Sequence, residues 1–272
     1  DIISNKRNKN IVHAYHTLLK IYLLELEKLL EEKKNDLIDI KMQEFEKTLA
    51  KAMQSYPNES FLFDAEASFN KLLDNSPQAL SSLKLAFQAN MRSPYLAIRL
   101  SNYYIDNGSI DDALSVLQDS ININVNNKDL NFKYAKLISQ KNPENYIDLK
   151  HYLRKSFVKN DKRYEAQFWY ARTLYLLGEK EYSDYFDYLK DAPLDSRFKK
   201  KQQGIVKVNG IPKIFEGTII TLENYFGFIK QDINGETIYF YRDNELRDLR
   251  FSSRVKFNKL FNYSGAVASI LN

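Results

Sequence analysis

The hydrophobic positions change period once along the chain. Between residues 10 and 190, Leu, Ala and aromatic residues recur three and four apart, with short polar breaks between the runs. That spacing predicts a succession of amphipathic helices. The helical period stops at Leu194, and residues 195–204 form a basic, polar stretch that reads as a linker. After Pro212 the pattern alternates with period two. Short β-branched and aromatic runs separated by turn residues predict strands near 214–223, 225–232, 236–242, 254–261 and 264–271. Asn234-Gly235 suits a tight turn between the second and third of these. The expected division is a helical domain over 1–196, a basic linker over 197–212 and a small β domain over 213–272.

The helical breaks keep a register. Asp74, Gly108, Asn142 and Gly178 lie 34, 34 and 36 residues apart, and each tolerates the left-handed geometry that ends a helix. Seven residues before each break is a small residue: Ala67, Ser101, Ala135 and Ala171. A bulky-then-small pair follows the same period, as Leu49/Ala52, Leu83/Ala86, Leu117/Ser120 and Leu153/Ser156. Four families of positions holding one register define a structural repeat.

This pattern resembles the tetratricopeptide repeat, a 34-residue helix–turn–helix with small residues where its helices touch. The best unit runs from Pro94 to Asn127, with Leu100, Ser101, Tyr104, Gly108, Ala113, Leu117 and Ser120 at the motif positions, and Pro57 matches the motif's terminal Pro. Ser109 with Asp112 reads as a helix cap. The motif's Trp has no counterpart. The resemblance covers about 44–190, with Ile11–Glu32 as a preceding helix, and it implies an α-solenoid with a concave face. It places Ser68, Asn102, Lys136 and Arg172 at one equivalent inward position. Asn102, Lys136 and Arg172 there are candidates for holding an acidic peptide or a phosphate; the alternative is a solvated, unoccupied surface.

Five short strands in about sixty residues favour a barrel of the OB type. Alternation puts Phe226 and Phe228 on one face, with Ile229 opposite, and puts Tyr239 and Tyr241 on one face, with Ile238 and Phe240 opposite. If the two strands pair through the Asn-Gly turn, four aromatics form a platform of the kind that stacks unpaired bases, while Lys230, Arg242 and Lys199–Lys201 supply cations for phosphates.

The segment also resembles the cold-shock domain. Phe226-Gly227-Phe228-Ile229 looks like the core of that family's first nucleic-acid motif, and Ile238-Tyr239-Phe240-Tyr241 looks like its second. Glu216-Gly217-Thr218-Ile219 resembles its opening strand and Gly265-Ala266-Val267-Ala268 its closing one. Asn224 and Tyr225 replace a Lys-Gly, Tyr241 replaces a His, Arg242 replaces a stacking Phe, and Thr221 replaces a Trp. Tyr225 and Arg242 are themselves candidates for stacking. The alternative is a barrel whose aromatics pack against protein.

Composition narrows the chemistry. The 272 residues include no Cys, which removes disulfides and thiolate chemistry and suits a reducing cytoplasm. Residues 1–196 carry 27 Lys/Arg against 28 Asp/Glu, and residues 197–272 carry 13 against 7, so the net charge of +5 comes from the last quarter. A basic domain beside a neutral one points to a polyanion partner, or to a small domain kept soluble by charge. No run reaches the roughly 20 apolar residues of a membrane span. His13 and His16 lie on adjacent helical turns without a third ligand, and His151 has no evident partner, so no metal or other cofactor is expected. No phosphate-binding loop, dinucleotide fingerprint or nucleophile elbow occurs. The chain begins at Asp1 rather than Met and reads as a fragment or processed product.

The expectation is a non-catalytic recognition module. The barrel binds single-stranded nucleic acid, RNA rather than DNA, through Phe226, Phe228, Tyr239, Tyr241, Lys230, Arg242 and Tyr225, and the solenoid engages a protein or displays the barrel. The alternatives are a protein-interaction scaffold with a structural barrel, or the regulatory arm of a larger effector.

Overall fold

The computed structural model describes residues 2–242 and 244–271, with side chains over 10–242 and 245–271. Ten helices run to Lys190: α1 (Ile2–Glu32), α2 (Asn35–Ser55), α3 (Ser60–Leu72), α4 (Ser76–Ala89), α5 (Pro94–Asp106), α6 (Ile110–Ile123), α7 (Lys128–Lys141), α8 (Tyr146–Lys155), α9 (Tyr164–Leu176) and α10 (Tyr182–Lys190). The helices α3, α5, α7 and α9 begin 34, 34 and 36 residues apart, which is the period of the sequence. These are tetratricopeptide-like helical hairpins. The small residues Ala67, Ser101, Ala135 and Ala171 are all buried, as are the paired positions Leu49/Ala52, Leu83/Ala86, Leu117/Ser120 and Leu153/Ser156. Close helix approach demands small side chains at these points, because a larger one would overpack the seam.

Three of the four breaks adopt the left-handed conformation, at Asp74 (φ 56°), Gly108 (φ 75°) and Gly178 (φ 74°). Asn142 does not. It precedes Pro143, whose ring drives the preceding residue to extended backbone, and the two-residue insertion of the repeat falls in this longer α7–α8 connection. The expected cap at Ser109 is also absent: Ser109 sits at the N-cap of α6 with ψ 68° and makes no side-chain cap bond. Ser93, with a more extended ψ of 108°, accepts from Leu96 N at 3.4 Å. The longer Asn145 side chain bridges the same gap at ψ 63°. Helix α1 starts at Ile2 rather than near Ile11.

The chain divides into two compact units, Asp1–Leu130 and Asn131–Asn272. In the first, Leu19, Leu26, Phe45, Leu49, Ala52, Leu62, Ala65 and Phe69 form one core, and the Phe45 and Phe69 rings stack at 4.4 Å. The second unit contains the last two hairpins together with the β-structure.

That β-structure is a short hairpin, β1 (Lys207–Val208) with β2 (Ile211–Pro212), and a closed barrel of β3 (Ile214–Leu222), β4 (Phe226–Gln231), β5 (Thr237–Tyr241), β6 (Arg254–Asn262) and β7 (Gly265–Leu271). The barrel order is β3-β4-β5-β7-β6, closed by β3 with β6; only β5 with β7 is parallel. Phe215, Ile219, Ile229, Ile238, Phe240 and Phe257 are buried. The turn between β4 and β5 spans Asp232–Gly235 rather than two residues, with Gln231 N donating to Glu236 O and only Gly235 (φ 69°) left-handed.

Residues 197–212, expected as a linker, are structured. They carry part of α11 (Ser196–Lys200), a bridge between Gln203 and Phe261, the buried Val206, and the β1–β2 hairpin. Polar composition suggested a tether, but Gln203 N and Val206 N donate to Phe261 O and Lys259 O on β6, and the carbonyls of Gly204 and Ile205 accept from Arg172 on α9.

Candidate nucleic-acid interface

The antiparallel register of β4 and β5 sets the face. Phe226 pairs with Tyr241 and Phe228 with Tyr239, so all four rings project to the same side. Their centroids lie close: Phe226 to Tyr239 at 5.7 Å and nearly parallel, Phe228 to Tyr239 at 5.7 Å edge-on, Phe226 to Phe228 at 6.0 Å, and Tyr239 to Tyr241 at 4.9 Å. The four side chains are half-buried and present part of their area to solvent. Tyr225, on the approach to β4, is 81% exposed. Lys230 continues the same face of β4 and is exposed.

Gly227 makes the arrangement possible from behind. A Cβ there would collide with the Phe240 ring, which fills the barrel interior, and with Thr221 O. The Phe-Gly-Phe order therefore lets one strand carry two outward rings while an interior ring packs flush on its backbone. Asn262 Nδ2 donates to Tyr241 Oη at 3.1 Å and fixes that ring's tilt. Burial raises the Tyr241 hydroxyl's pKa against the lowering effect of Asn262. Burial, then the neighbouring Tyr241, raises that of Tyr239. Both phenols remain neutral at physiological pH.

The other expected cations divide. Arg242 does not present its charge freely: its guanidinium donates to Leu246 O (3.3 Å), Glu223 O (3.1 Å) and Arg247 O (2.9 Å), and its own N–H donates to Tyr225 O. It ties together the two loops beside the platform, which makes it a positioning residue. Lys199 is likewise turned inward, onto Lys190 O and Ala192 O, while Lys200 and Lys201 are exposed.

The inward positions of the helical hairpins also differ from one another. Asn102 is exposed. Lys136 is exposed and ion-paired to Glu165 at 3.0 Å, and Ser68 accepts from Arg99 Nη2 at 2.6 Å. Arg172 corrects the sequence expectation of a groove cation. It is only 6% exposed; Nε donates to Gly204 O (2.9 Å) and Nη2 to Ile205 O (3.4 Å), with Trp169 and Phe261 rings on either flank at 5.5 Å. A partner peptide cannot reach it. Gly204 is held at φ 66°, and a Cβ on it would meet Arg172 Nε at 2.7 Å.

Within the same unit a second polar group was not legible in the sequence. Lys259 Nζ donates to Tyr175 Oη at 2.8 Å and to Glu236 Oε2 at 2.9 Å, while Tyr175 Oη donates to Glu236 Oε1. Burial lowers the pKa of Lys259, opposed by Glu236, and burial together with Glu236 raises that of Tyr175. Around it Phe261 packs on Tyr175 and Phe186, and Tyr263 stacks on Phe168 at 5.1 Å. The barrel thus uses Phe261 and Tyr263 against α9 and α10, and keeps Phe226, Phe228, Tyr239 and Tyr241 for a different face. The one sequence signal was the run of aromatics at the end of β6, which continues past the strand.

Among the described residues, no helix is long and apolar enough to cross a membrane, and no group of three or more His, Cys, Asp or Glu is placed to hold a metal ion. No family model matches the chain, and no curated protein matches it. Solved structures similar to it include tetratricopeptide proteins. The Pseudomonas aeruginosa protein PilF is 14% identical, with a TM-score of 0.46 over 68% of this chain and 81% of that one. A tetratricopeptide repeat protein of Parabacteroides merdae is 19% identical, with 0.44 over 63% and 68%. YrrB, a tetratricopeptide protein with an unusual peptide-binding site, is 13% identical, with 0.43 over 65% and 87%.

Proposed function

We propose that the chain is a non-catalytic recognition module whose barrel binds single-stranded nucleic acid, RNA in preference to DNA, on the β4–β5 platform. The observation that carries this reading is the four-ring cluster of Phe226, Phe228, Tyr239 and Tyr241, half-exposed, with Tyr225 and Lys230 at its margins. Stacking of bases on such rings contributes about 1–3 kcal/mol per base. The strand order, with a single parallel pair between β5 and β7, supports the OB and cold-shock reading of the barrel. The excess positive charge of residues 197–272 favours the same partner.

Fluorescence anisotropy with labelled oligo-U and oligo-dT tests it. Wild type should bind with strong salt dependence, and Phe226→Ala with Tyr239→Ala should reduce affinity at least tenfold, by roughly 1.4 kcal/mol or more. Unchanged binding in the double variant refutes the platform.

A protein-interaction role for the helical hairpins is compatible with this. A groove of about 600 Å³ in the first unit is lined by Leu23, Leu24, Leu72, Lys20, Lys71 and Arg99, and Leu24 is 66% exposed. Asn102 stands on a neighbouring cavity with Arg99 and Lys71. If partner capture depends on Asn102 or Lys136 while no oligonucleotide binds, the scaffold reading replaces the first.

A further inference from the structure

The barrel has an open end that neither the platform nor the hairpin groove uses. The start of β3, the end of β4, the start of β5 and the second half of β6 meet there, and Tyr175 of α9 and Tyr182 of α10 stand over it. They line an open cavity of about 380 Å³. Barrel mouths are a recurrent place for small-ligand sites, and this volume is at the lower end of their ~300–1,000 Å³ range.

The polar groups of this cavity are not closed among themselves. Alternation along β4 sends Phe226, Phe228 and Lys230 to the outer face and Gly227, Ile229 and Gln231 inward. Gln231 is only 2% exposed, lines the cavity, and its Oε1 has no hydrogen-bond partner among the described residues. A buried acceptor without a donor is costly, so one retained in a native fold calls for an explanation. Lys259 adds a donor: its ammonium has three N–H groups, of which Tyr175 Oη and Glu236 Oε2 take two. The charged lining is Lys213, Lys259 and Glu236, two cations to one carboxylate. Both ammonium groups lie over the Phe215 ring, at 5.1 and 4.8 Å. Lys213 is exposed, while its backbone is fixed, its N–H donating to Val206 O and its carbonyl accepting from Asn258 Nδ2. Burial lowers the pKa of Lys259, Glu236 opposes this, and the charge of Lys213 adds to the lowering. An anion at the opening relieves that repulsion.

These features define a ligand. Gln231 Oε1 requires an N–H donor, Lys259 offers an N–H to an acceptor, and the excess positive charge favours an anion. Leu176, Tyr182 and Ile233 supply apolar wall. A nucleobase edge carries donors and acceptors on a flat, stacking body, and its phosphate supplies the charge. We propose that the barrel mouth binds a nucleoside monophosphate, with the base edge on Gln231 and Lys259 and the phosphate at Lys213. Gln231 projects to the opposite face of β4 from the platform rings, so this site goes beyond the platform reading and stands or falls separately from it.

The test is isothermal titration calorimetry with uridine and adenosine monophosphates, uridine and inorganic phosphate, all at one ionic strength. The nucleotides should bind about tenfold tighter than uridine or phosphate alone. Gln231→Met keeps the bulk of the side chain and removes the acceptor, so it should weaken the nucleotides roughly three- to tenfold. Because the lost oxygen had no partner, the same variant should hold or raise the urea midpoint, which separates a lost contact from a lost fold. Lys213→Ala should weaken the nucleotides by a similar factor and leave uridine within about twofold. Phe226→Ala with Tyr239→Ala should leave nucleotide affinity within about twofold, because those rings face away from the mouth. Three results overturn the proposal: no nucleotide binds at about 1 mM, phosphate alone binds as tightly as the nucleotides, or the platform double variant abolishes binding that Gln231→Met leaves intact.

Discussion

Replacing Arg172 separates a structural clamp from a groove residue. Its Nε bond to Gly204 O at 2.9 Å is charge-assisted, and the Nη2 bond to Ile205 O at 3.4 Å is near the limit of a hydrogen bond. Losing the first and leaving its acceptor without a donor costs about 1.5–3 kcal/mol. The second adds little. Arg172→Met also takes a guanidinium out of a site flanked by Trp169 and Phe261, which returns part of that cost, so the expected net loss is about 2 kcal/mol. Arg172→Lys should be worse, at about 3–5 kcal/mol, because it keeps a charge in the same apolar surroundings while a single shorter ammonium cannot serve both carbonyls. The assay is urea unfolding followed by fluorescence of Trp169, the chain's one Trp, which lies one helical turn from Arg172. If Met costs less than 0.5 kcal/mol, or Lys is the milder change, Arg172 is not the clamp described. A groove residue would show the opposite pattern, with neutral stability and altered partner binding.

Three further outcomes are expected. Gly227→Ala should destabilise the second unit by about 1–3 kcal/mol, read by the same urea titration, because its Cβ meets the interior Phe240 ring and a backbone carbonyl that cannot give way. Lys230→Ala should weaken oligonucleotide binding and lower the salt slope by about 0.7, whereas Arg242→Ala should lower the thermal midpoint because it releases the carbonyls of Glu223, Leu246 and Arg247. On the alkaline side, burial raises Tyr134, Tyr170 and Tyr263 to about 12 and raises Tyr175 further. The folded state then holds protons that the unfolded state releases from its ordinary tyrosine value near 10. The stability these groups contribute is fully present below that value and is lost as pH rises through about 12. Thermal melts at rising pH check this, and a flat profile above pH ~10 contradicts it.

The repeat and the barrel strands were legible because each is written in local periodicity. Small residues such as Ser101 and Ala135 recur where helices must touch, and alternation in Ile238-Tyr239-Phe240-Tyr241 leaves only one way to bury Ile238 and Phe240. What stayed hidden was long-range. Arg172 looked like a fourth member of the Ser68, Asn102 and Lys136 series, since nothing within its repeat reveals that Gly204 and Ile205 fold back upon it. The same return of the chain turned an apparent tether over 197–212 into packed structure. Arg242 resembled a cation for phosphate in one dimension, but its fork suits three converging carbonyls that only the loop geometry supplies. Pro143 was visible, and its effect on Asn142 follows from local sterics alone, so that exception to the left-handed breaks needed no tertiary knowledge.

The central claim is that one face of the barrel, and not the hairpin groove, meets single-stranded nucleic acid. The most direct measurement is amide and aromatic chemical-shift mapping as oligo-U is added to the isotope-labelled chain. The account predicts that the shifts concentrate at Tyr225, Phe226, Phe228, Lys230, Tyr239 and Tyr241, with upfield movement of ring protons from base stacking. Shifts that gather instead around Asn102 and Lys136, or no shifts at concentrations that saturate a single-strand-binding control protein, would contradict it.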